Sequence, residues 1–319
     1  MPFWKRMAYL ECIEKTKAKL ENESLRSKVD EQAEYIDELQ KRLLKKPKLC
    51  SNYTTEWQSY CLAAQSSRRV AGIHAISDRQ LQRMNHAFLR AGLLDQSRDV
   101  TTAEMLCLPD GSMQYQIVNH VTFEAPSRLI AAAVWNAIGG RQSPTLPRGV
   151  SEVVETIDAS TKYSRIVDAR DPAMTWHSNI IRKVFRHEDR EIIVVRTVLD
   201  DALVPRQAAD RVENKWAWIQ IVAEGLEKCR VTFLVQADLG SDPVQFDSAE
   251  ELNARRKASG DCGCIHLSIN FSPLAPLAVD KPSVPHASLK IFLEHFSRIR
   301  AAVNGALSKT LEAYQRDKS

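Results

Sequence analysis

The sequence predicts an α+β protein, an antiparallel sheet closed by one long carboxy-terminal helix, with a helical rod in front. Three observations carry this reading. Residues 190–240 read as three consecutive strands, and in the last of them Cys229, Val231, Phe233, Val235 and Ala237 alternate with Arg230, Thr232, Leu234, Gln236 and Asp238. Residues 288–314 repeat Leu289, Phe292, Phe296, Ile299, Val303, Ala306 or Leu307, and Leu311 at helical spacing, an apolar stripe that needs a partner surface. Residues 5–46 hold neither Gly nor Pro and are dense in Glu, Lys, Leu and Arg, as a free-standing helix would be.

The rod is the first element. Placing Asn22, Val29, Ile36 and Leu43 at heptad position a puts Leu25, Gln32 and Leu39 at d, which predicts a dimerising coiled coil over 1–47 that Pro47 ends. Asn22 with Leu25 matches the zipper pairing in which a buried Asn favours a parallel dimer. Whether the rod pairs with itself or with another chain stays open. A DNA-reading basic region needs a dense cationic run with an Asn ahead of the zipper. Here Glu11 and Glu14 interrupt the lysines and no Asn precedes Asn22, so sequence-specific DNA binding is not favoured.

Residues 48–108 are Ser-rich at the start and read as a partly helical linker, with Ser77 capping a helix from Asp78 to Leu94. From 109 to 319 the pattern is that of one domain. Residues 113–123 form its first strand. Pro126 and Ser127 open a helix that Gly139-Gly140 stops, with Leu129, Ala132, Ala133 and Trp135 expected on the sheet. Residues 150–157 and 175–187 give further strands. In the strand from Lys215 to Ala223, Trp216, Trp218 and Val222 face one way and Ala217, Ile219 and Ile221 the other, so both faces are dry. Glu224-Gly225 with Leu226-Glu227-Lys228 turns the chain into the next strand. An insertion at about 243–285, carrying one extra strand near 265–271, precedes the final helix.

Several phrases of these strands resemble the START lipid-transfer domain family. They are Arg196-Thr197-Val198, Arg211-Val212-Glu213 and, most fully, the run from Arg230-Val231-Thr232-Phe233 through Gln236-Ala237-Asp238-Leu239-Gly240. The resemblance implies a helix-grip fold, a curved antiparallel sheet around a long carboxy-terminal helix with an apolar cavity between them. It implies binding of a lipid or other hydrophobic small molecule, with no catalysis and no cofactor. The order of rod and domain also resembles a group of coiled-coil START-like proteins of oomycetes, some labelled mating-specific. The insertion departs from the family, whose members pass quickly to the last helix.

By the same resemblance, Arg211 points into the cavity with Glu213 beside it; a solvent-facing arginine paired with Glu213 or Asp210 is the alternative. Trp135, Trp176, Trp216, Trp218, Phe233, Phe292 and Phe296 are the candidate apolar walls. A rival reading is a regulatory or scaffold protein with a filled START-like core, including a divergent zipper-type transcription-associated factor.

Other chemistry finds little support. Cys262-Gly263-Cys264 with His266 lacks the second pair that structural zinc requires. His177 and His187 have no Ser or Cys elbow beside them, and no phosphate-cradling glycine motif appears. A net charge of +4 is too small to argue for nucleic-acid binding by the whole chain. The chain opens with charged residues rather than an apolar leader, no run spans a membrane, and the cysteines are scattered, so an intracellular protein, cytoplasmic or nuclear, is expected.

Overall fold

A computed structural model describes Lys5 and residues 14–26, 28–29, 60–107, 113–139, 146–172, 174–207, 209–239, 265–266 and 287–318. The chain divides into two compact units, Met1–Glu56 and Trp57–Ser319. In the first, residues 14–26 are helical (α1), and Asn22, Leu25 and Val29 are exposed. Ile36, Leu39 and Leu43 lie outside the described residues.

The second unit opens with β1 (Cys61–Leu62), α2 (Ser66–Gln82), α3 (Met84–Arg90), β2 (Val100–Cys107), β3 (Met113–Phe123) and α4 (Ser127–Ile138). Then come β4 (Val150–Thr156), β5 (Thr161–Asp171), β6 (Met174–Arg186), β7 (Arg190–Val198) and β8 (Asp200–Asp201). It closes with β9 (Arg211–Val212), β10 (Asn214–Ala223), β11 (Cys229–Asp238), β12 (Ile265–His266) and α5 (Ala287–Lys318). Among the described residues one sheet runs in the order β12-β2-β3-β11-β10-β7-β6-β5-β4, antiparallel throughout, and β9 adds a short parallel pairing to β6. The helix-on-antiparallel-sheet part of the expected fold is met.

The alternation in β10 decides how the layers stack. Its odd residues Ala217, Ile219 and Ile221 join cores that contain α4 and α5. Its even residue Trp218 joins a core with Met84 and Phe88 of the amino-terminal helices. Both sheet faces are therefore covered, and β10 is dry on both sides for that reason. At the turn that follows, Gly225 adopts φ 146°, a conformation that side-chain-bearing residues rarely take.

Three expectations need correction. Residues 60–107 are not a linker. Arg69, Ile73, Ile76 and Gln80 form one buried face of α2, and β2 is paired in full with β3. Ser77 does not cap a helix at Asp78: the helix begins eleven residues earlier, at Ser66, and the Ser77 hydroxyl donates to the Ile73 carbonyl at 2.9 Å inside it. In α4 the buried face is Ile130, Ala133, Val134, Ala137 and Ile138, whereas Leu129 and Ala132 are exposed and Trp135 is half-buried. The helix is rotated because α5 shares the cover of this sheet face, and the apolar stripe must meet both α5 and the sheet.

A candidate ligand cavity between the sheet and the last helix

On the face of the sheet that α5 covers, packing is incomplete. A cavity of about 90 Å³ lies between α5 and strands β3, β6, β7, β10 and β11. Most of the wall is apolar. Ile180, Val195, Ala217, Ile219, Phe233 and Val235 supply the sheet side, and Phe292, Phe296, Ile299, Val303 and Leu307 the helix side. The helix side falls at spacings of three and four because those positions form one stripe of α5. Phe292 and Phe296 stack with ring centroids 6.0 Å apart, and Phe292 meets Tyr115 edge-on at 5.8 Å.

Three charged side chains stand among these apolar ones. Lys215, Arg182 and Arg300 are all buried and all line the cavity. The Lys215 Nζ lies 2.7 Å from a Glu213 carboxylate oxygen and 6.0 Å from the centroid of the Phe292 ring. Glu213 also accepts a bond from the Ser178 hydroxyl. Burial would raise the Glu213 pKa, but Lys215, His295 and the bonds from Lys215 and Ser178 outweigh it, and the net shift is downward. Arg182 donates to the Ser164 hydroxyl and stands 3.8 Å from Glu152. Burial pulls the Arg182 pKa below its ordinary value, against the pull of Glu152 and Glu213. Burial lowers the pKa of Arg300 as well.

His295, on α5, is buried as well. Its Nε2 is 3.6 Å from Asp168, which Arg170 clamps with bonds of 2.6 and 2.9 Å before reaching on to Glu294 at 2.7 Å. The His295 pKa is lowered, first by burial and then by Lys215 and Arg298, while Glu213 and Asp168 act the other way.

The residues singled out in the sequence fall into two groups. Phe233, Phe292 and Phe296 stand in the wall as expected. Trp216 also borders it, but its indole lies on the opposite face, where Nε1 donates to Gln236 at 2.7 Å and Arg196 stacks 5.2 Å from the ring. Trp218 is turned away from the cavity altogether and donates to the Gln80 carbonyl at 2.7 Å. Trp135 packs half-buried against the core around α4, and Trp176 is buried beside β5 without bordering the cavity.

Arg211 is exposed on β9 and not in the wall. β9 pairs with Trp176–His177 at the margin of the sheet, and the chain enters the interior only at Glu213. Glu213 supports Lys215 from behind rather than lining the cavity itself. The three cations of the wall went unrecognised in the sequence, although a signal was there. Lys215 shares the parity of Ala217 and Ile219, Arg182 shares that of Ile180 and Val184, and Arg300 lies on the apolar stripe of α5. A cation on an otherwise apolar face marks a buried charge.

No family model matches the chain, and no curated protein does. Among solved structures, human StAR-related lipid transfer protein 5 is similar at 10% identity and a TM-score of 0.39, covering 75% of this chain and 98% of that one. Human STARD10 is similar at 9% identity and a TM-score of 0.34, covering 72% of this chain and 82% of that one. A point mutant of norcoclaurine synthase from Thalictrum, an enzyme, is similar at 9% identity and a TM-score of 0.27, covering 40% of this chain and 77% of that one. At TM-scores this low the likenesses decide neither ligand nor activity. Among the described residues no helix is long and apolar enough to cross a membrane.

Proposed function

We propose that the protein binds a lipid or other apolar small molecule in the cavity beneath α5, without catalysis, and that the amino-terminal rod joins two copies. The observation that carries the first part is the unfilled space bounded by Phe233, Phe292, Phe296 and the aliphatic residues of the sheet. A well-packed interior leaves few voids larger than a water molecule, so a gap of this size between two apolar surfaces needs an occupant or a cost. Burying a ligand there removes apolar area from water at about 25 cal/mol per Å². The START-like wording of β7, of β9 with Glu213, and of β11 supports the same reading. The heptads around Asn22, Leu25 and Val29, exposed within the single chain, support the second part.

Native mass spectrometry of the purified full chain, followed by solvent extraction of whatever it carries, tests the binding. One apolar molecule per chain is expected. A protein that carries none and takes up none from a lipid mixture is instead the filled-core scaffold. Light scattering of the same sample should give twice the chain mass, and a single-chain mass would remove the rod's assigned role.

A further inference from the structure

We infer that the ligand carries an anionic group on its apolar body, a carboxylate or a phosphate, and that Lys215, Arg182 and Arg300 receive it. This rests on the binding reading above and specifies it. The three cations border the cavity, and among the described residues no Asp or Glu does. The carboxylates beside two of them are not in the wall: Glu213 at 2.7 Å from Lys215, and Glu152 at 3.8 Å from Arg182. Among the described residues, the surface that a ligand meets is therefore apolar with three cations set into it and no anion. Asn119 and Asn304, also in the wall, add neutral hydrogen-bonding groups.

The cost of burial points the same way. Two guanidinium groups and an ammonium held at 5 to 6% exposure have lost most of their water. An all-hydrocarbon ligand would displace what remains and give nothing back. An anion in that space would form charge-assisted bonds in surroundings of low polarity, where such bonds are strongest. A cationic ligand would meet like charge. Lys215 Nζ, 2.7 Å from Glu213, also lies 6.0 Å from the Phe292 ring, a wall of the cavity on the helix side.

The test compares ten-carbon probes that differ only in the head: decanoate, decyl phosphate, decanol and decylammonium, with acetate as the tail-free control. Each competes at pH 8 against a neutral solvatochromic dye bound to the full chain. Decanoate and decyl phosphate should bind about tenfold or more tighter than decanol. Decylammonium should bind weakest, and acetate should not displace the dye. Arg300→Met should bring the decanoate-to-decanol ratio toward one, with circular dichroism confirming the fold. The wild-type comparison stands even if that variant fails to fold.

Equal affinity for all four decyl probes would overturn the anionic head while leaving the apolar cavity intact. Displacement by acetate as strong as by decanoate would replace the amphiphile by a small anion and overturn the inference. No binding of the dye or of any probe would instead remove the binding reading beneath it.

Discussion

The two faces of the sheet are built from the same strands yet end differently, one sealed and one left with a gap. On the face covered by α2 and α3, Trp218 fills its site against Met84, Phe88, Val194 and Leu234, and its indole N–H is satisfied by the Gln80 carbonyl. Nearby, Arg196 lies 3.8 Å over the Tyr60 ring. Arg69 makes two bonds of 2.6 and 2.8 Å to Asp201, and Tyr163 donates to the same carboxylate at 2.6 Å. On the opposite face the neighbour of Trp218 is Ala217. A small side chain there, under a helix held off by Phe292 and Phe296, leaves the cavity. The difference shows that room for a ligand is set by where volume is spent along β10, since both faces are equally apolar in pattern.

That comparison can be broken first at Trp218. Trp218→Ala should cost about 3–5 kcal/mol, because it opens a void in a closed face and strands the Gln80 carbonyl. Urea unfolding measures it, and a loss below 1 kcal/mol would mean that the covered face is not packed as described. The probe affinity of the folded fraction should change far less, since the indole does not border the cavity.

Asp201→Asn comes next. Burial would raise the Asp201 pKa, but the bonds from Arg69, Tyr163 and the Leu203 N–H hold it below the ordinary value. Neutralising it leaves Arg69 as a buried cation without its counter-charge, at a cost of about 3 kcal/mol. Thermal melts at neutral pH check this. A double variant with Arg69→Met should recover part of the loss, and a neutral single variant would contradict the assigned pair.

A smaller effect appears with pH and draws on both faces. Because burial holds the His295 pKa below its ordinary value of 6.5, the unfolded chain takes the proton first as pH falls. Stability is then full above about pH 6.5 and declines as pH drops from there through the folded pKa. His120, on the other face and also lowered by burial, acts in the same direction and window. Glu213 and Asp168, held below ordinary values of 4.5 and 3.8, add acid loss only further down. His295→Asn should flatten the decline below pH 6.5 without removing the His120 share. A decline as steep as in the parent chain would place His295 outside the linkage.

How much of this was legible in the sequence follows from the same contrast. The strands β3, β7, β10 and β11 and the helix α5 announce themselves because each carries a period that burial on a known number of faces requires. The period does not reveal β5, because Lys162, Ser164, Arg165 and Asp168 break its alternation, and buried Ser164 and Asp168 are met by Arg182 of the next strand and by Arg170. α2 was misplaced for a related reason. Its inner face is Arg69, Ile73, Ile76 and Gln80, half polar, and Arg69 is met by Asp201, 132 residues away, and by the Tyr163 ring. In the cavity, the aromatics of β11 and α5 were readable from their stripe. For the cations, parity gives only their position on an apolar face; their partners, such as Ser164 and Glu152 for Arg182, lie on other strands.

The central claim is that the space under α5, opposite Ala217, is the ligand site, and Ala217→Phe tests it most directly. The added ring should fill the cavity at a stability change of no more than about 1–3 kcal/mol. Fluorescence titration of the neutral solvatochromic dye should give one site per chain in the parent protein and none in the folded variant. Equal binding by both would place the ligand elsewhere and contradict the account.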